Sequence, residues 1–196
     1  MSSLSAAVAD IVAQDKPFAF FGHSVGALLA FEVARDLRRR EAAVPFHLFV
    51  SGATAPHLCP DRPPRFHLQR EQLLEEIRKL GGTPEDVLEN SELLDLVLPT
   101  IRADFALFDT YTYHYEEPFD FPVTALAGDN DWEVDGLDTL QWDIHTRQSF
   151  RHHQFVGSHF FLHERSDDLR ALIAREIERT APGRLGTKRG FEAVEA

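Results

Sequence analysis

The sequence predicts an α/β fold in which a mostly parallel sheet is flanked by helices. Two observations carry that prediction. Near-continuous apolar runs of strand length stand at Phe18–Phe21, Phe46–Ser51 and Val123–Ala127, as expected of parallel strands covered on both faces, and Phe150–Val156 adds a fourth, more polar run. Gly22-His23-Ser24-Val25-Gly26 then sits between the first run and a helical one, so that a serine is held at a strand-to-helix turn.

Taken in order, Ser2–Gln14 reads as a small amphipathic helix with Leu4, Val8, Ile11 and Val12 on one side. Pro17 marks the start of the first strand. A serine between two glycines at the end of such a strand is the nucleophile elbow of α/β-hydrolases, the glycines allowing a sharp turn and a close helix. The helix, Ala27–Arg40, is apolar nearly all round at first and ends in Arg35, Asp36, Arg38, Arg39, Arg40 and Glu41, so it is expected to begin buried and end in solvent. Its N-terminal amides point at the serine, and the Val25 N–H is placed to donate to an oxyanion formed when Ser24 attacks a carbonyl. The terminal arginines complement the helix dipole. Arg62, Arg65 and Arg70, further on, read equally well as solvated surface or as a basic docking patch.

Between the second and third strands, Ala55 to Pro118 is too long for a plain connection. Leu73, Leu74, Ile77 and Leu80 follow helical spacing and end at Gly81-Gly82, where Thr83-Pro84 offers an N-cap and a first-turn proline for a further helix. Leu94, Val97, Leu98, Ile101, Phe105 and Phe108 form a longer stripe, bent at Pro99. Phe105, Phe108 and Tyr111 are candidates for lining a substrate channel, with simple packing as the alternative. After the third strand, Gly128-Asp129-Asn130-Asp131 delivers carboxylates to the same sheet edge as Ser24. Asp131 is the preferred acid, with Asp129 and Asp135 as competitors. The last strand, less apolar and therefore nearer an edge, leads into Gly157-Ser158-His159, and His159 is the natural base. This gives the order Ser, acid, His that the fold supplies. The other histidines, His152, His153 and His163 included, read as surface or packing residues. No His-x-x-x-His pair carries an intervening glutamate, so no metal is expected.

These segments resemble the type II thioesterases that serve polyketide and nonribosomal peptide synthetases. The likeness lies in Phe20–Ala27, Phe31–Arg35, Leu80–Pro84, Leu98–Phe105, Leu126–Asp129 and Gly157–Leu162, and it runs from about Leu4 to about Arg179. The two middle segments match the lid of that family. The resemblance implies an α/β-hydrolase fold with a helical lid over about 55–118, and Ser24, Asp131 and His159 as nucleophile, acid and base. It also implies removal of acyl groups from the phosphopantetheine arm of acyl or peptidyl carrier proteins, the arm arriving with the substrate and no cofactor being required. Family members carry further strands and a glycine-rich loop upstream of the elbow, whereas this sequence starts shortly before it. The expectation is therefore an N-terminally incomplete fold with an open edge at Phe18–Phe21. The loop supplies a second oxyanion donor, whose removal typically costs about 10²–10³ in kcat. Two other readings stand beside the thioesterase: a carboxylic ester hydrolase with the same triad, and a catalytically impaired relative that only binds its partners.

Composition agrees with one α/β domain over 1–182, since 196 residues at 43% hydrophobic content suffice for one core and not two. After Thr180 the chain turns polar and glycine-rich, and disorder is expected over 183–196. The net charge of −12 argues against nucleic acid as a partner. No apolar stretch is long enough to span a bilayer and no signal peptide is evident, so no membrane association is expected. Cys59 is the sole cysteine, which fits a reducing cytoplasm.

Overall fold

The computed structural model describes residues 2–12, 16–58 and 63–181, so that Cys59, Arg62 and the expected tail lie outside the described residues. Strands β1 (Ala19–His23), β2 (His47–Ser51), β3 (Val123–Gly128) and β4 (Phe150–Phe155) form one sheet in the order β1-β2-β3-β4, every neighbouring pair parallel. The register aligns Phe20 with Leu48, Leu48 with Val123 and Val123 with Phe150, so all strands end on one side.

Burial follows strand position. Every residue of β2 and β3 is buried, whereas β1 and β4 are only partly so. β1 has no strand on its outer side among the described residues, and Phe21 is exposed there. Both edge expectations therefore hold.

Helices cover the two faces of the sheet. On one, α2 (Val25–Arg39) presents Ala27, Phe31 and Ala34 to Leu48, Val50, Val123 and Ala125, and Trp142 and Phe119 complete that core. On the other, α7 (Phe161–Glu164) and α8 (Ser166–Thr180) bring Phe161, Leu169 and Leu172 against Leu126. Burying side chains of this size is worth about 1.5–3 kcal/mol each.

Two expectations near the N-terminus are corrected. In α1 (Ser2–Val12) the stripe Leu4, Val8, Ile11, Val12 is not the buried face: Leu4 and Ile11 are exposed and Ser5 is buried. The reason is local, because α1 packs on α2, where Ser5 meets Asp36. In α2, Arg35 is buried rather than solvated. Its guanidinium pairs with Glu32 and Glu116 and reaches the His114 carbonyl, while Arg38 and Arg39 also bind Glu116. These cations tether the segment returning to β3, which the dipole argument does not describe.

The insertion folds into α3 (Arg70–Leu80), α4 (Glu85–Glu89) and α5 (Ser91–Asp109), with a core of their own built from Leu73, Ile77, Leu88, Leu94, Leu98 and Phe105. Gly81 ends α3 in the left-handed conformation, φ 78°. The cap of α4 falls one residue later than expected, on Pro84, with no side-chain cap from Thr83. Asn90 caps α5 by accepting from Glu92 N and Leu93 N, and α5 continues through Pro99 as one helix.

Two buried histidines, His47 and His145, and the partly buried His23 are expected to make the fold acid-sensitive. Burial lowers His47 to about 4 and His23 and His145 to about 3; neighbouring His159 adds to the effect at His23, and His57 at His145. A group neutral in the fold but protonated near pH 6.5 when unfolded contributes stability that is present above about 6.5 and lost as pH falls toward 3. At pH 5 the loss is about 2 kcal/mol per histidine by linkage. The thermal midpoint is expected to fall by roughly 10 °C or more from pH 7 to pH 5. A flat profile in scanning calorimetry would contradict this assignment.

Candidate active site

Ser24 stands between the end of β1 and the first residue of α2, at φ 52° and ψ −121°, a backbone conformation rare for a residue with a side chain. Its N–H donates to the Ser51 carbonyl at 2.8 Å, pinning the turn to the end of β2. Val25 opens the helix, so its N–H has no intrahelical acceptor and is free to meet an anion.

The two glycines of the turn are not equivalent. A Cβ on Gly22 would lie 2.2 Å from the Gly26 carbonyl oxygen and 2.6 Å from Ala27 Cα, all backbone that cannot step aside. A Cβ on Gly26 would meet nothing within 4 Å, which corrects the expectation that both are needed for the turn. Gly22→Ala is expected to cost about 3 kcal/mol or more, while Gly26→Ala is neutral or gains up to ~1 kcal/mol of helix propensity. Urea unfolding of the two variants would show the difference.

At the ends of β3 and β4 the competing carboxylates separate by what they touch. Asp131 Oδ2 accepts from His159 Nδ1 at 2.8 Å, and Asp131 Oδ1 accepts from the backbone N–H groups of Glu133 at 2.9 Å and Val134 at 3.2 Å. Asp129 instead binds Gly157 N at 3.0 Å and shapes the loop before His159. Asp135 caps α6 (Gly136–Leu140) through Leu137 N. The Asp131 side chain is 0% exposed and that of His159 2%, so the pair is withdrawn from water. Because a carboxylate only accepts, Nδ1 is the donor in this hydrogen bond, which leaves Nε2 as the ring nitrogen turned away from Asp131.

The His159 ring packs on that of His23, the residue before Ser24, with the ring centroids 5.0 Å apart. His23 Nδ1 meets Ser51 Oγ at 3.0 Å and its ring also contacts Phe160. With its pKa lowered to about 3, His23 is neutral at ordinary pH and sets no positive charge against an imidazolium at His159. The Ser24 hydroxyl does not cap its own helix, and Ser24 lines the pocket.

That pocket, about 280 Å³, lies beneath the inserted helices and is lined by Ser24, Val25, Ile77, Leu80, Ile101, Phe105, Phe108, Val134 and Phe160, with Arg65, Asp104 and Glu133 as its charged residues. Partial desolvation raises the Asp104 carboxyl from its ordinary value. Phe105 and Phe108 are thus among the pocket's lining residues, Phe105 packing in the insertion's own core as well. Tyr111 is not: it follows the end of α5, and its hydroxyl donates to Glu32 Oε1 at 2.7 Å, holding the returning chain to α2. A larger depression of about 540 Å³ opens on the outer side of the Asp131 loop, between Trp132, Leu137 and Leu140.

The basic residues left open by the sequence resolve differently. Arg65 is buried between Asp109 and Glu133, and Arg70 makes an exposed pair with Asp95. Sequence reasoning missed Glu133 and Trp132 entirely, although their position beside Asp131 was a signal. No group of His, Cys, Asp and Glu side chains suited to a metal ion occurs among the described residues, nor any helix long and apolar enough to cross a membrane.

A family model described as the thioesterase domain matches residues 1–180. The linear gramicidin dehydrogenase LgrE of Brevibacillus parabrevis is 41% identical over 167 residues, which cover 84% of this chain and 64% of LgrE. The chain therefore spans just under two thirds of that curated relative. Among solved structures, RedJ, a thioesterase of the prodiginine biosynthetic pathway in Streptomyces coelicolor, superposes with a TM-score of 0.81 at 40% identity, covering 90% of this chain and 71% of RedJ. BorB, a type II thioesterase from the borrelidin biosynthetic cluster, gives 0.78 at 34% identity, covering 90% of this chain and 72% of BorB.

Proposed function

This chain belongs to the thioesterase family, with a fold of the α/β-hydrolase type, and on that premise we propose that it hydrolyses acyl thioesters through Ser24, His159 and Asp131. Ser24 Oγ attacks the thioester carbonyl carbon and its proton passes to His159 Nε2. The Val25 N–H donates to the resulting oxyanion, and Asp131 holds the imidazolium by Nδ1. Collapse breaks the C–S bond, His159 returns the proton to the departing thiolate, and an acyl-enzyme remains. A water activated by His159 then releases the carboxylic acid and restores Ser24, so that thioester and water become acid and thiol.

The observations that carry this reading are the buried Asp131–His159 pair, the packing of the His159 ring on His23, which precedes the strained Ser24, and the apolar pocket that Ser24 lines. The substrate we assign is an acyl group on the phosphopantetheine arm of an acyl or peptidyl carrier protein. Support comes from RedJ and BorB, both thioesterases of biosynthetic pathways. The name of LgrE points elsewhere, to hydride transfer, yet this sequence contains no Gly-x-Gly-x-x-Gly segment to cradle a dinucleotide. Excess negative charge on this chain means that an acidic carrier docks by a local basic surface rather than by the overall field.

The test is labelling with a fluorophosphonate probe, the modified peptide identified by mass spectrometry, beside hydrolysis of acyl-carrier, acyl-N-acetylcysteamine and p-nitrophenyl ester substrates. Label on Ser24 with faster turnover of carrier-bound thioesters is the expected outcome. Faster turnover of the oxygen esters would make it an ester hydrolase, and folded protein that takes no label would leave a binding role.

A further inference from the structure

The inserted helices are joined to the Asp131 loop by side chains that the reaction as described does not use. Arg65 lies where the insertion begins and Asp109 where α5 ends. The Arg65 backbone N–H donates to Asp109 Oδ2 at 2.6 Å, closing the neck of the insertion, and its Nε lies 3.6 Å from Asp109 Oδ1. The same guanidinium covers the Phe105 ring at 4.3 Å and donates from Nη1 to Glu133 Oε1 at 2.9 Å. Side-chain exposures are 10% for Arg65, 0% for Asp109 and 8% for Glu133, so these charges are held away from solvent screening.

Glu133 is the residue whose backbone N–H donates to Asp131 Oδ1. One residue nearer, Trp132 Nε1 donates to the Lys79 carbonyl at the end of α3, at 2.8 Å. On the base side, a Cβ on Gly82 would meet the Phe160 ring at 2.3 Å, so the turn after α3 rests directly on the residue following His159. The acid and the base are thus each flanked by a contact to the insertion.

We infer that Arg65 and Glu133 are positioning residues, which lock the inserted helices to the loop of the catalytic acid so that Asp131 is aligned on His159 only when the lid is seated. The inference rests on the catalytic reading of Ser24, Asp131 and His159. The physical basis is the directness of the path: the lid's arginine holds the Glu133 side chain, and the Glu133 N–H holds Asp131 Oδ1. A merely structural ion pair would leave the acid's geometry unchanged when cut, because the Val134 N–H still binds the same oxygen. A lock would not.

The discriminating readout is the rate of fluorophosphonate labelling of Ser24 against pH, measured with Glu133→Gln, Arg65→Gln and the double variant in the whole chain. Small probes need no acyl channel, so this rate reports the serine and its base. Each single variant is expected to label 10- to 100-fold more slowly, with a shifted pH midpoint, and the double variant no more slowly than the worse single. If Arg65→Gln does not fold, Trp132→Phe removes only the hydrogen bond to Lys79 from a half-exposed indole and is expected to slow labelling several-fold at unchanged melting temperature. Variants that lose stability but label at the unmodified rate and pH midpoint would overturn the inference while leaving the catalytic reading intact. Absence of labelling in the unmodified chain would instead remove that reading itself.

Discussion

Ser24→Ala is expected to abolish fluorophosphonate labelling and to lower thioester hydrolysis by on the order of 10⁶ in kcat, the scale on which removal of a nucleophile acting within a triad is felt. The fold should survive, because what the turn needs from this position is a backbone at φ 52° and an N–H for the Ser51 carbonyl, not a hydroxyl. Alanine is strained no more than serine by that conformation. The melting temperature is therefore expected to stay within a few degrees, and circular dichroism would confirm the fold in the inactive variant. Residual turnover at a tenth of the original rate would show that another group does the chemistry.

Asp131→Asn is expected to lower kcat by about 10⁴, since an amide can present either its oxygen or its NH₂ to His159 and stabilises the wrong tautomer of the ring. The substituted side chain would keep the volume of the aspartate, and its oxygen could still accept from the Glu133 and Val134 amides, so the loop should hold its shape. Asp129→Asn is the comparison. Asp129 accepts from Gly157 N, a role the amide oxygen also fills, and the variant should lose less than about threefold. Steady-state kinetics on acyl-N-acetylcysteamine for both variants decides the matter, and equal losses would mean that Asp131 is not the acid that orients His159.

These expectations differ in how far the sequence already carried them. The strands, their parallel pairing, the two sheet edges, the serine turn and His159 were legible because each depends on local composition. An interior parallel strand must be apolar on both faces, as β2 and β3 are, and an edge strand need not be, as β4 shows. The preference for Asp131 was legible only as a preference, since three carboxylates within one short loop differ in direction and not in type. From the apolar stripe of the insertion, Phe105 and Phe108 line the pocket, yet the same reasoning carried on to Tyr111, where the helix has already ended and the chain turns to α2.

By itself, the sequence determined the fold class and the place of the serine turn, because strand burial and that turn are written in runs of a few neighbouring residues. Only the tertiary structure decided which carboxylate meets His159, that Gly22 rather than Gly26 is sterically required, and that Arg35 and Arg65 are buried in ion networks. The reason is distance along the chain. Arg65 finds Asp109 44 residues away and Glu133 68 residues away, and Arg35 reaches the His114 carbonyl 79 residues on. Charges separated so far in sequence carry no local periodicity, and their pairing exists only once the sheet and the inserted helices have brought them together.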